Sequence, residues 1–188
     1  EECDRVAARV EERTEKKEVL SRERTMLLER IEKYEEMKYD AFMTAFNAID
    51  ANFQRIFARL TDGSGKLVLD NEEDPFSGGM TFAVQPRGKK VHLLSALSGG
   101  EKSLTTLAFI FAIQQYMPAP FYALDEVDMF LDGSNVGRIA AMISDLTGSA
   151  QSIIVSLRKP MIERADRIVG VTIRPDKSTY VTGVQNNG

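Results

Sequence analysis

The first 60 residues have the polar and apolar pattern of one long, solvent-exposed helix. They contain neither Gly nor Pro, and 23 of the first 40 are charged, with both signs interleaved. Opposite charges such as Glu12 and Lys16 are four residues apart in the order that stabilises a helix. Apolar or long side chains recur at alternating spacings of three and four, at Val6, Val10, Lys17, Leu20, Leu27, Ile31 and Tyr34. This diluted heptad pattern favours a coiled-coil arm, whose second strand is not in the chain, over a lone charged helix.

Aromatic and small apolar residues replace the charges after Lys38. They recur at Tyr39, Phe42, Phe46, Ile49, Phe53, Ile56, Phe57 and Leu60. Because this spacing keeps one helix face apolar, we predict that the helix continues into a globular lobe and docks there. The Gly63-Ser64-Gly65 segment should then end it. We therefore assign residues 1–50 to the arm and residues 51–188 to the lobe.

The lobe alternates between strand and helix patterns. Predicted strands lie at residues 66–69, 80–85, 91–94, 121–124, 152–156, 168–173 and 179–184, and predicted helices at 104–113, at 134–146 with Ser134 as its cap, and near Pro160. Strands that alternate with helices indicate a mainly parallel sheet, whereas the hairpin-like strands before Ser98 indicate an antiparallel addition. The predicted fold class is α/β, a mixed, mainly parallel sheet with flanking helices.

Two short polar segments of the lobe carry candidate chemistry. Ser98, Gly99 and Gly100 precede the apolar helix, and glycines there let an anion reach free backbone N–H groups and the positive end of the helix dipole. Asp125 and Glu126 follow a buried strand, at the end where open α/β sheets bind ligands. The pattern predicts a phosphate site and an acidic pair.

The motifs around these residues resemble those of a known family. The segments LSGGEKS and PAPFYALDEVD, followed by Leu131 and Asp132, are similar to the signature, Walker B and D-loop motifs of ABC-type ATPases. Together with the turn at 74–76 and the segments at 155–158 and 165–171, they resemble the carboxyl-terminal half of the ATPase head of SMC (structural maintenance of chromosomes) proteins. The resemblance implies an ABC-type head lobe joined to a coiled-coil neck.

The resemblance also assigns roles to the candidate residues. Asp125 would orient a magnesium ion, and Glu126 would polarise the water that attacks the γ-phosphate of ATP. The residues that would contact the nucleotide are Ser98, Gly99, Gly100, Glu101 and Asp132. In the family these signature residues contact ATP held by an opposing head, so the resemblance implies a dimer of heads with ATP and Mg²⁺ between them. The alternative for the acidic pair is a simple strand cap.

A lysine-bearing phosphate loop is missing from the chain. Such a loop has the pattern G-x-x-x-x-G-K-[ST], and neither Gly65-Lys66 nor Gly88-Lys89 has the earlier glycine or the following Ser or Thr. In SMC proteins this Walker A motif lies in the amino-terminal half of the head. The resemblance therefore implies a chain that is inactive alone and is an ATPase only with that half and a second head. It further implies a kleisin subunit and DNA as partners, and chromosome organisation as the role.

Composition limits the setting. A net charge of −4 over 188 residues gives no global nucleic-acid signature, so DNA binding would need a local basic patch. The one compact basic cluster is Arg87, Lys89 and Lys90, and a solvated turn is favoured over a DNA contact there. A single cysteine excludes an internal disulfide and favours a reducing cytoplasm. No apolar run approaches the length of a membrane span, so we predict no membrane partner. His92, the only histidine, is interpreted as a strand residue without a catalytic role.

Two departures from the family pattern and three rival functions remain. Leu157 stands where transporters place a switch histidine, which excludes phosphate sensing by histidine there, and Met129 and Phe130 are bulkier than usual before the D-loop aspartate. The rivals are a RecN-type repair ATPase, a transporter nucleotide-binding subunit and a catalytically silent coiled-coil module. A transporter subunit would lack the charged arm and carry its own Walker A motif, and the intact acidic pair argues against a silent module.

Overall fold

The structure is a computed structural model that describes residues 1–86, 92–146 and 150–185. It forms two compact units, Glu1–Asn47 and Ala48–Gly188. The boundary between them falls within the first helix, α1, which spans Glu2–Thr61. The basic residues Arg87, Lys89 and Lys90 lie outside the described residues.

The first unit is helical and its side chains are largely exposed. Lys16 and Glu12 form the predicted ion pair, with 2.5 Å between Nζ and Oε1. The apolar residues of the heptad pattern are uncovered, with Leu20 64% exposed and Leu27 57% exposed. An uncovered apolar stripe is what a single strand of a coiled coil would show. The second strand stays a prediction.

The second unit is mixed α/β, which confirms the predicted class. Its further elements are β1 (Ser64–Leu69), β2 (Met80–Gln85), β3 (His92–Leu93), α2 (Gly99–Tyr116), β4 (Phe121–Asp125), α3 (Gly133–Leu146), β5 (Gln151–Val155), α4 (Lys159–Ile162), β6 (Arg167–Ile173) and β7 (Thr179–Gln185). Among the described residues, β1-β2-β3 and β6-β7 are antiparallel sheets and β4-β5 is a parallel pair. The parallel part of the fold within this chain is therefore the pair that carries the acidic residues.

Two local details differ from the sequence predictions. The predicted strand at 91–94 ends at Leu93, because the chain turns into a 3₁₀ helix at Leu94–Ala96, and residue 91 lies outside the described residues. Gly65, in the segment predicted to end the long helix, already lies in β1. A Cβ at Gly65 would lie only 2.9 Å from Val84 Cγ1 and 3.1 Å from Phe57 Cδ1, so this glycine lets the strand pack closely against the helix.

The core of the second unit joins the end of α1 to α2 and α3. Phe53 is fully buried and stacks in a tilted arrangement on Phe82 of β2, with 5.5 Å between ring centroids. Phe82 in turn meets Phe109 of α2 edge to face at 5.2 Å. Such aromatic pairs bury large apolar areas in a defined geometry. They fix α2, and with it the glycine-rich segment, against the first sheet.

Polar contacts hold α3 against the last turn of α1. The guanidinium of Arg138 donates to the carbonyl oxygen of Leu60 at 3.0 Å and to the carboxylate of Asp62 at 2.7 Å. Arg59 and Asp145 form a second ion pair between the same helices. The helix that follows Asp132 is thereby anchored to the end of the long helix.

Candidate active site

The glycine-rich segment forms the start of α2. Ser98 is the N-cap, with its Oγ accepting from the Glu101 backbone N–H while the Glu101 carboxylate accepts from the Ser98 backbone N–H at 3.0 Å. This reciprocal capping box uses two of the donors at the helix start. The N–H groups of Gly99 and Gly100 are in the first turn, where no intrahelical acceptor exists. An anion could therefore reach two backbone donors at the positive end of the helix dipole.

The two glycines leave different amounts of room. A Cβ at Gly99 would meet nothing within 4 Å, so this face of the helix start is open. A Cβ at Gly100 would lie 3.4 Å from the carbonyl oxygen of Phe130. The structure thus brings the glycine-rich segment next to the loop between Glu126 and Asp132, which the sequence separates from it by more than 20 residues.

Glu101 takes part in the cap of α2. Its carboxylate accepts hydrogen bonds from both the backbone N–H and the hydroxyl of Ser98, the latter at 2.8 Å. These contacts fix the helix start rather than extend toward a ligand. A direct contact with a nucleotide stays a prediction.

The acidic pair lies at the carboxyl end of the parallel strands. Asp125 is the last residue of β4 and is paired in register with Val155 of β5. The next residue, Glu126, has a left-handed backbone with φ of 47° and donates its N–H to the Val155 carbonyl oxygen at 3.0 Å. Non-glycine residues adopt this conformation at a cost of about 1–3 kcal/mol, and it concentrates at functional sites. Both carboxylates are exposed, so solvent and ligands can reach them.

Asp132 caps α3. One carboxylate oxygen accepts from the Asn135 backbone N–H at 2.9 Å and from the Ser134 hydroxyl at 2.7 Å. The pKa of Asp132 is below its usual value, first because of the Asn135 N–H and then because of the Ser134 hydroxyl. The prediction that Ser134 caps this helix is therefore wrong. Asp132, one position before the helix, has the acceptor that the first turn needs.

The loop after β5 lies beside the loop that connects Glu126 to Asp132. Asp128 is buried, at 2% exposure, and its carboxylate accepts from the Ser156 hydroxyl at 2.6 Å. The guanidinium of Arg158 donates to the Leu131 carbonyl oxygen at 2.8 Å. Leu157, between these two polar residues, is 93% exposed. The predictions missed Asp128, Ser156 and Arg158, since no sequence spacing connects positions so far apart.

The only histidine and the only cysteine of the sequence are His92 and Cys3. His92 is half-buried in β3 and is paired in register with Val84. Cys3 is exposed. Within the described ranges, no group of three or more His, Cys, Asp or Glu residues could hold a metal ion. No helix of the described part is long and apolar enough to cross a membrane.

Comparison with curated proteins finds close relatives over nearly the whole chain. The chain is 55% identical to the chromosome partition protein Smc of Gloeobacter violaceus, over 98% of this chain and 16% of that protein. It is 45% identical to the chromosome partition protein Smc of Pyrococcus furiosus, over 97% of this chain and 16% of that protein. The chain thus spans about a sixth of the length of these relatives.

Solved structures agree with this relationship. A Pyrococcus furiosus Smc head domain with an extended coiled coil, bound to the C-terminal domain of ScpA, is 45% identical with a TM-score of 0.85, over 92% of this chain and 43% of that chain. A second solved chain comes from a study of ATP-driven dimerization and DNA stimulated activation of SMC ATPases. It is 46% identical to this chain with a TM-score of 0.72, over 78% of this chain and 89% of that chain.

A family model described as RecF/RecN/SMC N terminal domain matches residues 5–179. This description names an N-terminal domain, and it gives no support to the prediction that the chain is a carboxyl-terminal half. The fold predicted from the resemblance is confirmed, because the structural neighbours are SMC head domains. The chain belongs to the RecF/RecN/SMC family and, within it, is similar throughout its length to the heads of chromosome partition SMC proteins.

Proposed function

We propose that this chain is the lobe of an SMC head that supplies the signature, Walker B and D-loop segments to an ATPase. It acts only when it is joined to the missing lobe and engaged with a second head. One observation carries the proposal: the open start of α2 lies against Phe130, in the loop that begins with the exposed Asp125-Glu126 pair. The helix start that would bind phosphate thus lies against the loop that begins with the two carboxylates.

The lobe is proposed to be the carboxyl-terminal half of the head, despite the wording of the matching family description. The motif content supports this placement, since the sequence has the signature and the acidic pair but no lysine-bearing phosphate loop. One solved SMC chain matches this chain over 89% of its own length. This match supports the idea that a lobe of this size exists as a separate chain.

The open side of the parallel pair supports a missing lobe. Parallel sheets are normally covered on both faces, yet Phe121, Ile153 and Val155 are each more than half exposed. Among the described residues, β5 pairs only with β4, and β6 only with β7. A cavity of about 560 Å³ lies beside β5 and the start of β6, and the Ser152 hydroxyl oxygen at its wall is buried with no hydrogen-bond partner in the described part of the chain. We infer that the missing lobe covers the face that bears Phe121, Ile153 and Val155 and also closes the cavity on the opposite side of β5.

The acidic pair fits the chemistry of ATP hydrolysis. A bound magnesium ion would neutralise charge on the phosphates, with Asp125 as the ligand from this chain and the other ligands from the nucleotide, water and the missing lobe. Glu126, one residue further on, would orient and polarise the attacking water. Because its backbone is left-handed, the chain leaves the strand direction at this residue.

The start of α2 fits the γ-phosphate of a nucleotide held by the opposing head. Its donors would be the N–H groups of Gly99 and Gly100, joined by the Ser98 hydroxyl once that hydroxyl is released from the Glu101 carboxylate. Glu101 would act by keeping Ser98 in its capping position. Asp132 would act across the dimer through the loop that it ends, since its carboxylate is engaged with the first turn of α3.

The partners of the whole protein follow from the family. We propose a kleisin subunit, because solved relatives are described as bound to ScpA. We also propose DNA as a partner and a role in chromosome organisation at the nucleoid, because the relatives are chromosome partition proteins. No observation favours the transporter, RecN-type or silent-module alternatives over this one.

A test follows from the need for two heads in each site. The rate of ATP turnover per head should rise with head concentration and then level off, because each nucleotide needs residues from both heads. The measurement uses the head reconstituted from this chain and its missing lobe, at saturating ATP. Two heads joined by a flexible tether serve as the control and should turn over ATP at a rate independent of concentration. An untethered head whose rate per head is already constant at low concentration would contradict the two-head site.

A further inference from the structure

Asp128 is a buried acid with no role in the mechanism above. It lies midway in the loop from Glu126 to Asp132, and its side chain is 2% exposed. The hydroxyl of Ser156 donates to its carboxylate at 2.6 Å. Hydrogen bonds between a hydroxyl and a carboxyl oxygen at this length are among the short ones in proteins. The bond joins two loops that are 28 residues apart in sequence.

Two further hydrogen bonds extend this link. The Ser156 hydroxyl oxygen accepts from the Arg158 backbone N–H at 3.0 Å, and the Arg158 guanidinium donates to the Leu131 carbonyl oxygen at 2.8 Å. Asp128 and Leu131 are themselves joined, since the Leu131 N–H donates to the Asp128 carbonyl oxygen at 3.2 Å. The loop after β5 therefore contacts the loop from Glu126 to Asp132 at two points, Asp128 and Leu131. Both residues follow Glu126 in the sequence.

Glu126 needs such support. Its left-handed backbone is one that a residue with a side chain keeps only where the surroundings fix it. On one side the Val155 carbonyl oxygen accepts its N–H, and on the other the Met129 N–H donates to its carbonyl oxygen at 3.1 Å. Asp128 lies inside this turn, between Glu126 and Met129, so its bond to Ser156 fixes the position of the turn.

We propose that Asp128 and Ser156 are positioning residues that hold the Glu126 carboxylate in place for hydrolysis. This inference rests on the proposed function, because it takes Glu126 as the group that polarises water. Loss of the Ser156 hydroxyl leaves the buried carboxylate without that donor, and the turn shifts to give it another. A shift of about 1 Å at a reacting group can lower a rate by about 100-fold. Nucleotide binding uses other groups and should not change.

The test uses the full-length parent protein with Ser156→Ala, which removes one oxygen atom, and Ser156→Thr, which retains the hydroxyl. Ser156→Ala should lower kcat for ATP by about 10- to 100-fold, with KM for ATP and the ATP-dependent dimer fraction unchanged. Ser156→Thr should recover most of kcat. Ser178→Ala is the matched control, since it removes a Ser–Asp bond of the same 2.6 Å length, to Asp176, from an exposed turn. That control should leave kcat at the parental value.

A double-mutant cycle tests whether the two residues act through one bond. Asp128→Ala should lower kcat as Ser156→Ala does, and the double variant should lose little more than either single variant. Fully additive losses would overturn the proposal, as would parental kcat in Ser156→Ala or a raised KM with unchanged kcat. Glu126→Gln in the same assay separates the two ideas: if it retains parental turnover, the proposed function fails. If turnover collapses in Glu126→Gln but not in Ser156→Ala, the positioning role alone fails.

Discussion

Replacing Glu126 with Gln should reduce ATP turnover by about 100-fold or more, while ATP still drives two heads together. Glutamine retains the size of the side chain and can hold a water by a hydrogen bond, but it lacks the charge that polarises that water. Asp125 and the start of α2 are unchanged, so nucleotide binding and head engagement should persist. Because hydrolysis releases the heads, the dimer of the variant should accumulate.

The measurement pairs ATP turnover with the ATP-dependent dimer fraction on the same reconstituted head. Glu72→Gln is the matched control, since it removes one negative charge from an exposed position in the loop after β1. It should leave both quantities at the parental values. Parental turnover in Glu126→Gln would remove this residue from the mechanism, and failure to dimerise would show that it assembles the site instead.

Ser98→Arg should abolish ATP-driven dimerisation, and with it turnover, while one head still binds ATP. The open space at the start of α2, where a Cβ at Gly99 would meet nothing within 4 Å, is where the partner's γ-phosphate would enter. An arginine side chain at the N-cap would fill that space. The nucleotide of the same head is held by the missing lobe, so its affinity should not fall.

Loss of the cap alone has to be separated from the steric effect. Ser98→Ala removes the hydroxyl that accepts from Glu101, which costs about 1 kcal/mol of stability, but it adds no bulk. It should still dimerise with ATP, though less readily. Sedimentation of both variants with and without ATP gives the comparison. A Ser98→Arg head that sediments as an ATP-dependent dimer would show that the signature does not act across the interface.

Local patterns predicted the elements of this chain well. The long helix, β2 and the apolar helix α2 lie where the sequence places them, because each has a strong local signal. The long helix lacks Gly and Pro, β2 is bounded by turn-rich segments, and α2 is a capped apolar run. The acidic pair was placed correctly at the end of a strand, because the apolar segment before it has only one reasonable structure. Short-range physical chemistry determines these features.

The choice between two possible helix caps and the features that depend on tertiary contacts were not predictable. Ser134 was assigned the cap that belongs to Asp132, because both residue types can cap and only the backbone conformation decides between them. The buried position of Asp128 depends on Ser156, and no periodicity relates the two residues. The extent of the parallel sheet was also beyond prediction, because in the proposed account one side of that sheet is covered by residues that this chain does not contain.

The central claim is that the chain is half of a composite ATP site. Calorimetric titration of ATP and Mg²⁺ into the isolated chain tests it most directly, with the same titration into the chain joined to its missing lobe. The account predicts no tight binding by the isolated chain, because it lacks a lysine-bearing phosphate loop. It predicts saturable binding once the lobes are joined. Micromolar ATP binding by the isolated chain would contradict the account.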